Sequence, residues 1–487
     1  MIEAEPYELG MAYYFRRSVL LSCLVTRQVK FLQPQKLAFK NSNPQFSLSR
    51  SYINSTFHSS PPNTLSEEST LSSNLNKNLG KIGTGFAKRL PTAIFANLVV
   101  AGVVCLVSVD LLYAGYRNRR NERLLNETVE KGTRPEVDIS DDELVPRPKI
   151  VERLAKIFQP YKNQSFYHVV CGEHGTGKTT LTRIASNEVG QVKDKGIQGG
   201  MGVIYVDIPA NFNELGEAFG KAINFAFEEQ ISFTGQWMRK ILGEINDKSK
   251  ISEWERAMRA FKRASAVYKA KHGKPPVIVY DNVSRLVHNN PEILDILQDD
   301  AKDNADDRKY IAVFVSSEGS VPRRMESRSA WSRAKKPVME IGDLSKEESM
   351  KYLTEKREIN VVDAKKIYEL VGGRIVDLKT VADDFLAKQP FEVIKQSILG
   401  EVEKKFNNAQ LLRKQLHHEV GKKAIRALLD SKELGFTTFM EFFDNYEEAG
   451  KVLETNIFAY HPEKNTVTFQ SQSIECYIRE KADIFIK

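Results

Sequence analysis

Short apolar runs tipped by polar residues recur through the middle of the chain: FYHVVC (166–171), GVIYVDI (202–208), PVIVYD (276–281), YIAVFVSSEG (310–319) and PVMEIG (337–342). Runs that stay apolar rather than alternating are buried on both faces, as strands of a parallel sheet are. Helical periodicity fills 148–157, 213–230 and 252–270, the last opening on a capping box of Ser252 and Glu255. Strand and helix in alternation predict an α/β parallel sheet, whose carboxyl-end tips carry the ligand site. After the last of these strands the pattern turns helical. Ser345 with Glu348 opens one helix, Asp363 starts another, and 374–388 forms a third. From 405 to 487 the order reads helix, helix, strand, turn, strand, helix, with TNIFAY and NTVTFQ flanking HPEK as a two-stranded wing.

The first 120 residues follow another pattern. From Leu9 to Ser66 there is no acidic residue, but Arg16, Arg17, Arg27, Lys30, Lys36, Lys40 and Arg50 are basic. An Arg- and Ser-rich, acid-poor start predicts a mitochondrial transit peptide, with RSY (50–52) as its processing site. Glu3, Glu5 and Glu8 fit that pattern poorly, and Met11 is an alternative start; a plain basic tail is the other reading. Residues 92–115 are apolar for long enough to cross a bilayer as a helix, with Lys88 and Arg89 before and Arg117, Arg119, Arg120 and Arg123 after. Asp110 within it costs about 2–3 kcal/mol if deep, and less near an interface. With both flanks basic, the charge bias leaves the orientation open. The 116–144 stretch reads as a membrane-proximal helix and an acidic linker.

Composition narrows the picture only slightly. A chain of 487 residues, 41% hydrophobic and 28% charged, has room for two or three ordinary globular domains. The net charge of +8 lies partly in the first fifty residues, so it is not a nucleic-acid footprint. Cys23, Cys105, Cys171 and Cys476 are scattered without a CxxC, which argues against a disulfide scaffold or a zinc site.

The chemistry starts where the first strand runs into GEHGTGKTTL. Gly172, Gly175, Gly177, Lys178 and Thr179 complete the GxxxxGK[ST] pattern between a strand and a helix. Glycines let the backbone N–H groups of Glu173, His174, Thr176 and Thr180 wrap a phosphate, Lys178 neutralises the β- and γ-phosphates, and Thr179 ligates Mg²⁺. Asp281, ending its strand, is the second Mg²⁺ residue. Asn282 follows where ATPases of this kind usually carry the glutamate that activates water. An amide orients water without taking its proton, so ATP binding with slow hydrolysis is expected. Glu318 and His174 are the substitutes within reach, but each reads more readily as an ordinary loop residue, Glu318 solvated and His174 pointing outward.

These motifs, with the polar strand tip Ser316–Ser317, resemble the Walker A, Walker B and sensor 1 of AAA+ ATPases. The stretch SAWSRAKKPVMEIGDLSKEESMKYL resembles archaeal-type ATPases and their STAND relatives, and LVGGRIVDL (370–378) the start of their lid. The resemblance implies ATP and Mg²⁺ as ligands and roles for Ser316, for Arg374 as sensor 2, and for Arg333 as an arginine reaching a γ-phosphate, often a neighbouring subunit's in a homo-oligomer. Arg323, Arg324 and Arg328 lie in the same basic loop. The C-terminal stretch resembles the winged-helix domain of fungal mitochondrial AAA proteins. Its Glu441, Asp444, Glu447 and Glu448 disfavour nucleic acid and favour a protein partner or internal packing. The expected organisation is transit peptide 1–60, linker 61–91, transmembrane helix 92–115, membrane-proximal segment 116–144, AAA+-like P-loop NTPase 145–344, helical lid 345–400 and winged helix 401–487. It places the protein as a single-pass protein of the mitochondrial inner membrane that binds ATP and hydrolyses it slowly. A non-hydrolysing switch and an ATP-controlled winged-helix nucleic-acid protein are the alternatives.

Overall fold

The computed structural model describes residues 92–189, 199–227, 231–241, 251–317 and 319–486. The expected transit peptide and linker, the RSY site and Glu318 lie outside the described residues. The chain divides into two compact units, one of Met1–Arg117 with Gln230–Asn246, the other of Asn118–Glu229 with Asp247–Lys487.

A single 40-residue helix, α1 (Thr92–Lys131), covers both the apolar stretch and the basic segment after it, with no break near 115. Among the described residues it is the one helix long and apolar enough to cross a membrane. Its most apolar window has a mean hydropathy of 2.2 and is almost wholly exposed.

In the larger unit, α2 (Pro148–Ile157) leads to β1 (His168–Cys171), α3 (Lys178–Glu188) and β2 (Val203–Asp207), followed by α4 (Leu215–Ala222). The smaller unit contributes α5 (Phe233–Ile241). Then come α6 (Glu253–His272), β3 (Val277–Asp281), α7 (Ser284–Asn289), α8 (Pro291–Asp306), β4 (Ile311–Val315), α9 (Ser320–Glu326) and β5 (Met339–Glu340). The five strands are parallel, in the order β2-β3-β4-β1-β5. Their register sets Asp207 beside Asp281 at the carboxyl edge. Side chains alternate between two cores, as a strand's period of two requires. Val169, Ile204, Ile278 and Phe314 face one core with Phe219 of α4 and Phe261 of α6. Val170, Tyr205, Val279 and Val313 face the other, with Leu154 of α2 and Leu181 of α3.

The helix expected to run to 230 stops at Ala222. Asn224 and Phe227 take φ of 52°, and Phe227 folds its ring onto Gly220, where a Cβ would lie 2.5 Å from it. The close approach needs glycine there.

Beyond the sheet come α10 (Lys346–Lys351), α11 (Val361–Val371), α12 (Ile375–Leu386) and α13 (Phe391–Asn408). Ser345 and Glu348 form the expected capping box. Asp363 does not start α11: Asn360 is the cap, accepting from the Asp363 N–H at 3.0 Å, because an extended residue must precede the first turn. The chain ends with α14 (His418–Ser431), β6 (Leu434–Gly435), α15 (Phe436–Met440), α16 (Tyr446–Glu454), β7 (Phe458–His461), β8 (Thr466–Phe469), α17 (Gln472–Glu480) and α18 (Ala482–Phe485). The expected two-stranded wing is three-stranded and antiparallel, order β6-β8-β7. The two-residue β6 is too short to leave a sequence pattern. One continuous core joins Leu344, Ile367 and Leu378 to Phe439, Phe458 and Ile474.

Candidate nucleotide site

The loop from β1 to α3 has the conformation its glycines allow. Gly172 has φ of 148°, and a Cβ there would lie 2.2 Å from the Ile341 carbonyl oxygen. Gly177 caps α3 with φ of 84°. Lys178 is 4% exposed. Its Nζ donates to the Glu173 carbonyl at 2.5 Å and to Thr176 Oγ1 at 3.3 Å. Burial pulls the amine down to about 8, against the nearby negative charges of Glu173 and Asp281. Burial also pushes the Glu173 carboxyl up, with Arg374 opposing. A buried ammonium in a glycine-rich loop that opens a helix fits an anion of several charges, which would replace the lost hydration.

The pH dependence follows. In the free protein Lys178 deprotonates near pH 8. A bound polyphosphate favours the ammonium, so binding above that pH takes up a proton. ATP affinity is therefore expected to be flat between pH 7 and 8 and to fall by up to about tenfold per unit above it. Calorimetry in buffers of different ionisation enthalpy reads that proton directly. A flat profile to pH 9.5 contradicts the assignment.

Across the loop, Asp281 is 1% exposed. Its carboxylate accepts from the Tyr205 hydroxyl, from Thr179, and from the Asn282 N–H at 2.8 Å. Burial pushes its pKa up, while the bonds from Tyr205 and Thr179 pull the other way. Asn282 has φ of 61°, a left-handed conformation that asparagine tolerates. Its Nδ2 donates to Asp207 Oδ1 at 2.8 Å. Asp207 also holds Arg183 at 3.1 Å and Arg285 at 3.3 Å. Arg183 in turn donates to the Tyr205 hydroxyl at 3.1 Å. The amide that replaces the expected glutamate is thus tied to a carboxylate on the neighbouring strand. Asp207, Tyr205 and Arg183 were not anticipated. The signal existed, since Asp207 is the polar tip of GVIYVDI just as Asp281 is of PVIVYD.

On the other side of the loop a cavity of about 330 Å³ is lined by Ile139, Val145, Thr180, Leu181, Ile375 and Val376. Apolar walls beside a phosphate loop suit a purine and its ribose. The 138–144 part was read as acidic linker, yet Asp138, Ile139, Glu143 and Leu144 line this cavity.

Residues 145–381 match the family model described as an ATPase domain predominantly from Archaea. The matched residues carry the P-loop of Gly172–Thr179 and read as an archaeal-type P-loop ATPase domain. No curated protein matches the chain. Among solved structures, the Walker-type ATPase of Pyrococcus abyssi is similar over 71% of this chain and 98% of its own, at 14% identity and a TM-score of 0.42. The ADP form of the ORC2 protein of Aeropyrum pernix is similar over 72% and 97%, at 12% identity and a TM-score of 0.40.

Within the ATPase domain the remaining candidates separate. Thr176, Thr179 and Thr180 line the loop and Thr179 reaches Asp281, so Thr179 and Asp281 fit a Mg²⁺ between them. Ser316 is buried, its N–H donating to the Val170 carbonyl, whereas Ser317 faces a second cavity of about 330 Å³ together with His174 and Arg374. Arg374 lies against the loop: a Cβ on Gly175 would be 3.4 Å from its Cδ. Its guanidinium is taken up by Asp343 at 3.1 Å and the Gln470 carbonyl at 2.7 Å. Arg333 is not brought to the loop. It pairs with Asp306 beside the amino end of β1, where its carbonyl accepts from Tyr167. Arg324 and Arg328 pair with Asp295, and Arg323 with Glu454.

Proposed function

We propose that this chain is a membrane-anchored mitochondrial protein whose ATPase domain binds ATP–Mg²⁺, turns it over slowly, and passes its nucleotide state to a C-terminal winged helix. The carrying observation is the tie between Asn282 and Asp207: the position that usually supplies a base holds an amide donating to another carboxylate. Thr179 and Asp281 would hold Mg²⁺, which when bound neutralises the β- and γ-phosphates. Lys178 binds the same phosphates, and the loop N–H groups orient them. Asn282 is an amide whose Nδ2 is committed to Asp207, so it orients water without itself taking the proton.

The helix–strand–helix–helix–strand–strand order of 418–469 supports the winged helix. Its link to the nucleotide is Gln470, whose carbonyl binds Arg374 and whose amide donates to Glu173 Oε2 at 3.4 Å. The helix before the wing carries Glu447 and Glu448 in its first turn, which favours packing over nucleic-acid contact.

The anchor rests on α1, and the mitochondrial address on the acid-free stretch from Leu9 to Ser66. Residues 1–125 fused to a fluorescent protein are expected to reach mitochondria, and the full chain to resist carbonate extraction. A cytosolic fusion overturns the address; release by carbonate overturns the anchor.

A further inference from the structure

Asp110 is the one acid in the apolar stretch 92–115, and a charge there needs a partner. The structure supplies one within the smaller unit. Asp110 Oδ2 accepts from Ser232 Oγ at 2.7 Å, from the Thr234 N–H at 3.0 Å and from Thr234 Oγ1 at 2.5 Å. Oδ1 accepts from the Phe233 N–H at 3.2 Å. These donors are the start of α5, so the carboxylate caps that helix and meets its positive end.

The helix so held has a wet apolar stripe. Positions 233, 237 and 241 fall one turn apart on one face. Phe233 is 74% exposed, Trp237 54% and Ile241 60%. On α1, beside Asp110, Leu112, Tyr113 and Tyr116 are also exposed. A contiguous stripe of large apolar groups open to water marks a surface that something covers.

We propose that α5 is an interfacial helix, lying along the headgroup region of the bilayer that α1 crosses; this rests on the membrane reading of α1. The position of Asp110 argues for lipid as the occupant. Thr92 to Val109 spans roughly 27 Å as a helix, close to the thickness of a hydrocarbon core. Asp110 then stands at the edge of the core. Tyr113 and Tyr116 follow at headgroup level, where tyrosine and tryptophan concentrate. A helix capped on Asp110 starts at that level, and its Phe, Trp and Ile stripe is the kind that enters the acyl boundary. The capping bonds replace the water that Asp110 would lose there.

The full chain in phosphatidylcholine vesicles carries its own reporter. Of three tryptophans, Trp254 and Trp331 are buried in the larger unit, and Trp237 alone is exposed. Lipids brominated near the headgroup are expected to quench its fluorescence more than lipids brominated at the acyl ends. Trp237→Phe removes most of the quenching. Asp110→Leu, by releasing α5, lowers it about twofold or more while carbonate resistance stays. A chain that resists carbonate but shows no quenching keeps the anchor and overturns the interfacial helix. Release by carbonate overturns both, and protection of Trp237 from iodide without lipid quenching assigns the stripe to a second copy and overturns the proposal.

Discussion

Lys178→Ala weakens ATP–Mg²⁺ binding at least tenfold. The amine is 4% exposed, at the end of the glycine-rich loop 172–179. Its hydrogen bonds go to the Glu173 carbonyl and Thr176. Alanine removes the charge facing the β- and γ-phosphates, and tenfold is about 1.4 kcal/mol, a small share of a charge-assisted contact in a water-poor site. Thr179→Ala is expected to cost as much, through the loss of the Mg²⁺ ligand. Lys178→Ala should not lower ligand-free thermal stability much, since burying an ammonium opposes folding. In the wild type ATP should alter tryptic cleavage around Gln470, through Arg374; in Lys178→Ala it should not. Unchanged affinity by calorimetry overturns the phosphate-loop assignment.

The sheet was legible because buried parallel strands stay apolar for their whole length. Each run was read one to several residues too long, as in YIAVFVSSEG against Ile311–Val315, since the run was carried on into the polar tip that follows the strand. The loop was legible because its glycines and lysine are consecutive. Asp207 was hidden by topology: 74 residues separate its strand tip from Asn282, and only the sheet order makes them neighbours. Arg333, too, is placed by topology, away from the chain's own loop. It follows the polar tip of β4 closely in sequence, but a parallel connection must return to the amino end of the sheet before the next strand. Ile139 and Val145 were masked by the acids around them.

The second large effect concerns the pair Asp207 and Asn282. Asn282→Glu alone removes the donor to Asp207 and sets two carboxylates together, with Arg183 and Arg285 as counter-ions. Combined with Asp207→Asn, the bond survives with donor and acceptor exchanged, and a carboxylate occupies the position that activates water. The double variant is expected to raise kcat by up to about 10²-fold with ATP affinity little changed, the single variant by less. A double variant no faster than wild type means that the amide does not limit turnover.

Everything above turns on whether the wild-type site binds ATP tightly and cleaves it slowly. Steady-state ATP turnover by the full chain in vesicles, at saturation confirmed by calorimetry, measures that directly. The expected kcat is well below about 1 s⁻¹, and a wild-type rate at or above that ordinary enzymatic value contradicts slow hydrolysis.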